Sequence, residues 1–88
     1  MKTTVVVNVS LQRTKRSQCM KTYDLPFRLQ KGDSILLNDQ DIGEVKYVYV
    51  DLETQEITAQ LSSILIEKDN KEEYDATIRL LKNNGWRI

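Results

Sequence analysis

Ile42-Gly43-Glu44-Val45-Lys46-Tyr47-Val48-Tyr49-Val50 is the stretch on which the fold reading turns. Its β-branched and aromatic content marks a strand. In strict alternation Val45, Tyr47 and Tyr49 share one side, while Val48 and Val50 join Glu44 and Lys46 on the other. Both sides are partly apolar, so this strand is expected to lie centrally, beneath a helix, or at an interface.

Towards the N-terminus, Asn38-Asp39-Gln40-Asp41 and Lys31-Gly32-Asp33 read as turns that bracket a short apolar strand, Ser34-Ile35-Leu36-Leu37. A further strand is expected near 19–29, with Cys19, Tyr23 and Leu25 on one side and Lys21 as the residue that fits least. Pro26 cannot donate a ladder hydrogen bond, so it ends that strand or marks an edge, with Phe27 and Leu29 turned inward beyond it. Residues 12–18 contain no large hydrophobe and read as an exposed hairpin loop. Before them, Thr3, Val5, Val7, Val9 and Leu11 alternate with Thr4, Val6, Asn8 and Ser10, which places a strand with one buried face near 3–11.

Towards the C-terminus, Asp51 to Glu56 is a hairpin-sized connection into a strand near 56–66. There Ile57, Ala59 and Leu61 share one parity, and Ile64 and Ile66 the other. A bulge near Ser62-Ser63 restores a common inward face, because one extra residue shifts parity by one. The competing reading is a central strand buried on both sides, with Leu65 on the Ile57 face. Tyr74, Ile78 and Leu81 then follow a helical stripe near 71–83, with Asp69 or Asn70 as cap, Glu72 and Glu73 in the first turn, and Asn84-Gly85 as the stop. Trp86 is expected to pack back on the sheet.

The fold class is therefore α+β: an antiparallel meander of about five strands, with a small open barrel as the favoured closure, and one C-terminal helix. Parallel pairing would call for helical crossovers that residues 1–68 lack. The core is expected to hold Val5, Val7, Val9, Phe27, Tyr47, Leu61, Ile78 and Trp86. Residues 1–88 form a single domain, since 88 residues leave no room for two-domain enzyme scaffolds. A composition of 40% apolar and 30% charged residues suits a soluble globular chain rather than a disordered one. No apolar run approaches a membrane span and no signal-peptide core is present, so a cytoplasmic setting without membrane contact is expected.

Catalytic motifs are sparse. With no histidine and one cysteine, neither a histidine-based triad nor a structural zinc site can be assembled, and no phosphate-cradling glycine loop is present. Cys19 reads as a buried structural residue. Asp39, Asp41 and Glu44 read as a solvated turn rather than a cation loop, and Glu67, Asp69, Glu72, Glu73 and Asp75 as helix-start and solubility residues. No enzyme activity, metal or other cofactor is expected.

The charge balance is more informative. Thirteen basic and thirteen acidic residues cancel overall. Yet residues 1–31 hold seven basic residues against Asp24 alone, net +6, and residues 33–75 hold three lysines against twelve acids, net −9. Such asymmetry steers a complementary surface or pairs copies of the chain, unless the segments neutralise one another on folding. Arg13, Lys15 and Arg16 form the basic loop best placed to meet an acidic protein or phosphates. Tyr47 and Tyr49 form an aromatic anchor if exposed and ordinary core if covered. The leading expectation is a small protein-binding accessory or regulatory module acting on a larger protein or assembly. The alternatives are an RNA or single-stranded nucleic-acid binding domain using the basic loop, and a self-assembling structural protein.

Overall fold

The computed structural model describes residues 2–88. The chain runs β1 (Lys2–Leu11), β2 (Lys15–Asp24), β3 (Ser34–Leu37), β4 (Gln40–Asp51), β5 (Glu56–Leu61), β6 (Ile64–Ile66) and α1 (Lys71–Asn83). The strands form one mixed sheet in the order β2-β1-β5-β4-β3, with β6 also paired to β1. The sheet does not close into a barrel. β3, four residues long, pairs only with β4 among the described residues. At the other end, β2 is joined by backbone pairing only to β1 and the C-terminal tail among the described residues, and Met20 and Arg87 exchange backbone hydrogen bonds of 2.9 and 2.8 Å.

The expected meander is modified at its centre, where β5 and β6 pair with β1 in parallel. Strand direction still reverses at each step from β1 to β5. Four reversals return β5 to the direction of β1, and the β3–β5 unit swings to the side of β1 away from β2. A parallel neighbour thus arises without a helical crossover, because the two strands are not consecutive.

β1 and β2 pair over their full ten residues, from Lys2 opposite Asp24 to Leu11 opposite Lys15. The hairpin loop therefore shrinks to residues 12–14, with Arg13 at φ 60°. The polar run that read as a loop, 12–18, mostly belongs to an edge strand, where ladder hydrogen bonds from β1 suffice and polar side chains protect the exposed edge. β2 also stops at Asp24 rather than near 29, just ahead of Pro26. Leu25 to Asp33 then cross irregularly to β3, anchored by buried Leu29. In the two-residue β3–β4 turn, Asn38 and Asp39 adopt φ 51° and 65°, as a type I′ hairpin requires.

The strand expected near 56–66 breaks at Ser62-Ser63 into β5 and β6, and the parity change has the anticipated effect. Ile57, Ala59, Leu61 and Ile66 are all buried, whereas Leu65 points to solvent. Gly43 packs against this break: a Cβ there would lie 3.0 Å from Ser62 Oγ, and its φ of 134° is open to glycine.

One sheet face, centred on Val5, Val7 and Val9, receives α1 and forms the core with Cys19, Val45 and Leu61. α1 presents Tyr74 and Leu81, both buried, with Ile78 and Leu80 partly so. The hydroxyls of Ser17 and Tyr74 share a 2.7 Å hydrogen bond that fixes the start of the helix to β2. At its end Gly85 N–H donates to Lys82 O and Trp86 N–H to Leu81 O, the Schellman pair, with Gly85 at φ 83°. That turn drives Trp86 into the core. Asn70 is the N-cap residue, but its amide donates to Glu73 Oε2 at 2.6 Å instead of its carbonyl capping the helix. No helix among the described residues is long and apolar enough to cross a membrane.

Two residues assigned to the core from sequence lie outside it, since Phe27 and Tyr47 are 59% and 60% exposed. Phe27 follows Pro26 in the irregular crossing. Tyr47 is displaced by a register shift in β4, where Val45 pairs with Leu61 and Tyr47 with the preceding residue, Gln60. The extra residue, Lys46, reverses side-chain parity, so Val45 and Val48 turn inward and Tyr47 and Tyr49 outward.

Candidate functional site

The sheet face opposite α1 carries no helix among the described residues. Two cross-strand rows run over it: Tyr49, Thr58, Thr4 and Thr22, then Tyr47, Gln60, Val6 and Met20. Thr4 and Thr22 hydroxyls bond at 2.8 Å, and Gln60 Nε2 donates to Val6 O at 3.4 Å, so the centre of the face is internally satisfied. The tyrosines stand at its β4 end. Their rings are stacked, with centroids 6.2 Å apart and planes 28° from parallel. Both are more than half exposed, which makes a rigid aromatic patch with two free phenolic tips.

The same residues border an edge. β3 covers β4 only over Gln40–Glu44, and Asp33 and Gly32 extend this by exchanging backbone hydrogen bonds with Val45 at 2.8 and 2.9 Å. From Lys46 to Asp51, β4 has a strand neighbour only on its β5 side among the described residues. Alongside lies a groove of about 550 Å³ between the 28–31 segment and β4, where Arg28, Lys31 and Lys46 accompany Tyr47 and Tyr49. Three cations and no carboxylate line it. Lys46 also lies 3.3 Å from Glu44, an exposed pair of small energetic weight.

The basic residues Arg13, Lys15 and Arg16 lie away from the tyrosines. Lys15 and Arg16 pair with Leu11 and Ser10 at the far end of β1, whereas the tyrosines sit level with Thr4 and Val6. Strand rise and spacing put Arg16 about 20 Å from Tyr47. Lys15 and Arg16 also project to opposite faces, since they are adjacent in one strand. Arg13, Lys15 and Arg16 are exposed but converge on no pocket with Tyr47 and Tyr49. Arg28 and Lys31 take their place, and the sequence signal was only their membership of the basic first third; their approach to β4 depends on the irregular crossing.

Folding also disperses the acidic middle. Asp51, Glu53 and Glu56 lie at the β4–β5 turn, at the end of the sheet where β1 begins, while Arg13, Lys15 and Arg16 cluster at the opposite end, where β1 finishes. Asp51 Oδ1 accepts the Glu53 and Thr54 amides at 2.9 and 3.2 Å, which rigidifies the turn, and Leu52 at its tip is exposed. The acids from Glu67 to Asp75 gather at the start of α1. Asp41 Oδ1 accepts the Gly43 amide at 2.8 Å, a local turn bond.

Cys19, on β2 opposite Val7, is fully buried in the core. Burial raises its thiol pKa, partly offset by the positive charge of Lys82. Tyr23 is raised in the same way by burial, offset by the neighbouring Trp86 indole. Lys21, the residue that fitted least in β2, turns inward, where its ammonium donates to Asn84 O at 2.6 Å and lies 5.1 Å from the centre of the Tyr23 ring.

No family model matches the chain, and no curated protein or solved structure shows significant similarity to it.

Proposed function

We propose that this chain is a non-enzymatic binding module that acts on a larger protein or assembly, taking an extended acidic segment of its partner along the outer edge of β4. The observation that carries the reading is the coincidence, over Lys46–Val50, of an unpaired strand edge, a stacked tyrosine pair and a cationic groove. Strand addition supplies backbone hydrogen bonds from the edge. Tyrosines provide large, rigid contact area at low entropic cost. Arg28, Lys31 and Lys46 set the preferred sign of the partner's charge.

The test is affinity capture on the immobilised chain, followed by binding of synthetic peptides from whatever is retained. Wild type should hold a partner through an acidic segment, and both Tyr47→Ser/Tyr49→Ser and Arg28→Glu/Lys31→Glu should lose it. Unchanged retention by either variant, or no retained partner, would sink the proposal.

A second reading has support from the same groove: stacked exposed aromatics beside cations also suit single-stranded nucleic acid. Oligonucleotide binding that weakens steeply with salt and vanishes in Arg28→Glu/Lys31→Glu would favour it over protein recognition.

A further inference from the structure

The edges of the sheet are protected unequally. β3 is four residues long, and β2 begins with Lys15 and Arg16 and meets the C-terminal tail at Met20. Short strands and charged side chains keep an edge from pairing with another chain. β4 has no such protection over Tyr47–Val50, a run without charge. Val50 stands opposite Ile57 on the core side yet is 44% exposed, and Leu52 just beyond is 86% exposed. An open apolar edge of this kind invites a strand from outside.

Charge is graded along the same stretch. At its start lies the groove of Arg28, Lys31 and Lys46, which has no carboxylate on its lining, and a 2.9 Å hydrogen bond from Gly32 N–H to Val45 O brings Lys31 to the strand. At its finish Tyr49 and Val50 line a second concavity with Asp51, Glu53 and Glu56, and no cation lines that one among the described residues. A strand with the same gradient, laid antiparallel beside β4, sets each end against the opposite sign. β4 of a second copy is such a strand.

We propose that in the free chain the β4 edge pairs antiparallel with β4 of a second copy about a two-fold axis, joining the two sheets into one. The inference rests on the reading of this edge as a binding surface, and it adds the occupant that a partner must displace. Residues directly opposite in an antiparallel ladder share a face, so the axis passes through a residue rather than between two. Val48 and Tyr49 are those nearest the middle of the exposed stretch. In either register the tyrosines of the two copies meet on the open face and the valines on the core side. Lys31 and Lys46 of each copy then lie beside the acidic turn of the other. Such an isologous contact closes as a dimer. It buries less than a standard interface, so the dimer is weak and yields to a partner.

The test is sedimentation equilibrium from about 1 μM to 1 mM. Wild type should pass from monomer to dimer over this range and go no further, and added salt should move the transition to higher concentration. Lys31→Glu/Lys46→Glu makes both ends of the edge net acidic, and Glu53→Lys/Glu56→Lys makes both net basic. Each variant alone should associate more weakly by about tenfold or more. All four side chains are exposed, so the fold tolerates the exchanges. In an equimolar mixture the two variants should pair with each other at about wild-type strength, since every end then meets its opposite. Should either variant fail to fold, the mass of wild type and its salt dependence decide. A monomer throughout, growth beyond the dimer, indifference to salt, a dimer that both variants keep, or no recovery on mixing overturns the inference. Partner capture by a chain that stays monomeric removes this inference alone, whereas a dimer that behaves as described but retains no partner sinks the binding reading and leaves this one.

Discussion

The ammonium of Lys21 donates to the backbone carbonyl of Asn84 at 2.6 Å, joining the middle of an edge strand to the residue that ends the helix. The final carbonyls of a helix have no partner within it, and a cation there meets both the hydrogen-bonding need and the helix dipole. A lysine on the core side of a strand is thereby compatible with burial of its stem. Lys21→Met keeps the stem and removes the donor, and should cost about 1–2 kcal/mol in urea unfolding. A loss within experimental error would show that water serves Asn84 equally well.

Ser17 and Tyr74, 57 positions apart, share the hydroxyl bond that fixes the other end of the helix. Tyr74→Phe and Ser17→Ala should each destabilise by about 1 kcal/mol. The double variant should lose less than the two separately, with a coupling of about 0.5–1 kcal/mol in a thermodynamic cycle. Full additivity would mean that the bond contributes nothing.

Gly85 occupies the left-handed position of the Schellman turn, and a Cβ there would also lie 3.2 Å from Lys21 Nζ. Gly85→Ala should therefore cost about 1 kcal/mol or more and loosen Trp86, read as a red shift of its fluorescence on exposure. Gly43→Ala should cost more, because its added carbon meets both the side chain and the backbone of Ser62. The reverse order would contradict the close packing at the β5–β6 break.

Stability should fall at alkaline pH. Burial raises the pKa of both Cys19 and Tyr23, so the folded chain holds these protons to higher pH than the unfolded chain does. Their contribution is whole at neutral pH and is lost as pH rises from about 8.5 through the ordinary thiol and phenol ranges and past the raised values. Urea midpoints across that range should decline, and Cys19→Ala should flatten the earlier part of the decline. Alkylation of Cys19 should be slow in the native protein and fast in denaturant, since a buried protonated thiol is a poor nucleophile.

Much of the fold was legible in local pattern. The helix of 71–83, its glycine stop and the interruption at Ser62-Ser63 follow from periodicity and cap chemistry, which act over a few residues. The pairing of β1 with β5 did not, because alternation specifies which face a residue takes and says nothing of which strand lies beside it. The loop that became the start of β2 was misjudged for a related reason: Lys15 to Gln18 owe their strand to the ladder offered by β1, and their own hydropathy opposes it. At the candidate site, Tyr47 and Tyr49 stood out as residues, but their exposure hung on a bulge at Lys46, and nothing in the composition of a valine-tyrosine run marks a register shift.

That shift has a consequence for how the surface is inherited. With Lys46 absent, Val45, Tyr47 and Val48 would meet Leu61, Gln60 and Ala59 in an unbroken ladder, so an in-frame loss of the Lys46 codon would straighten β4 and keep both tyrosines outward. The faces of β4 are held by what its residues meet on β5, and the bulge is the means by which the strand carries one residue more without disturbing them. Copies of this surface can therefore differ in length at this point and still present the same two rings.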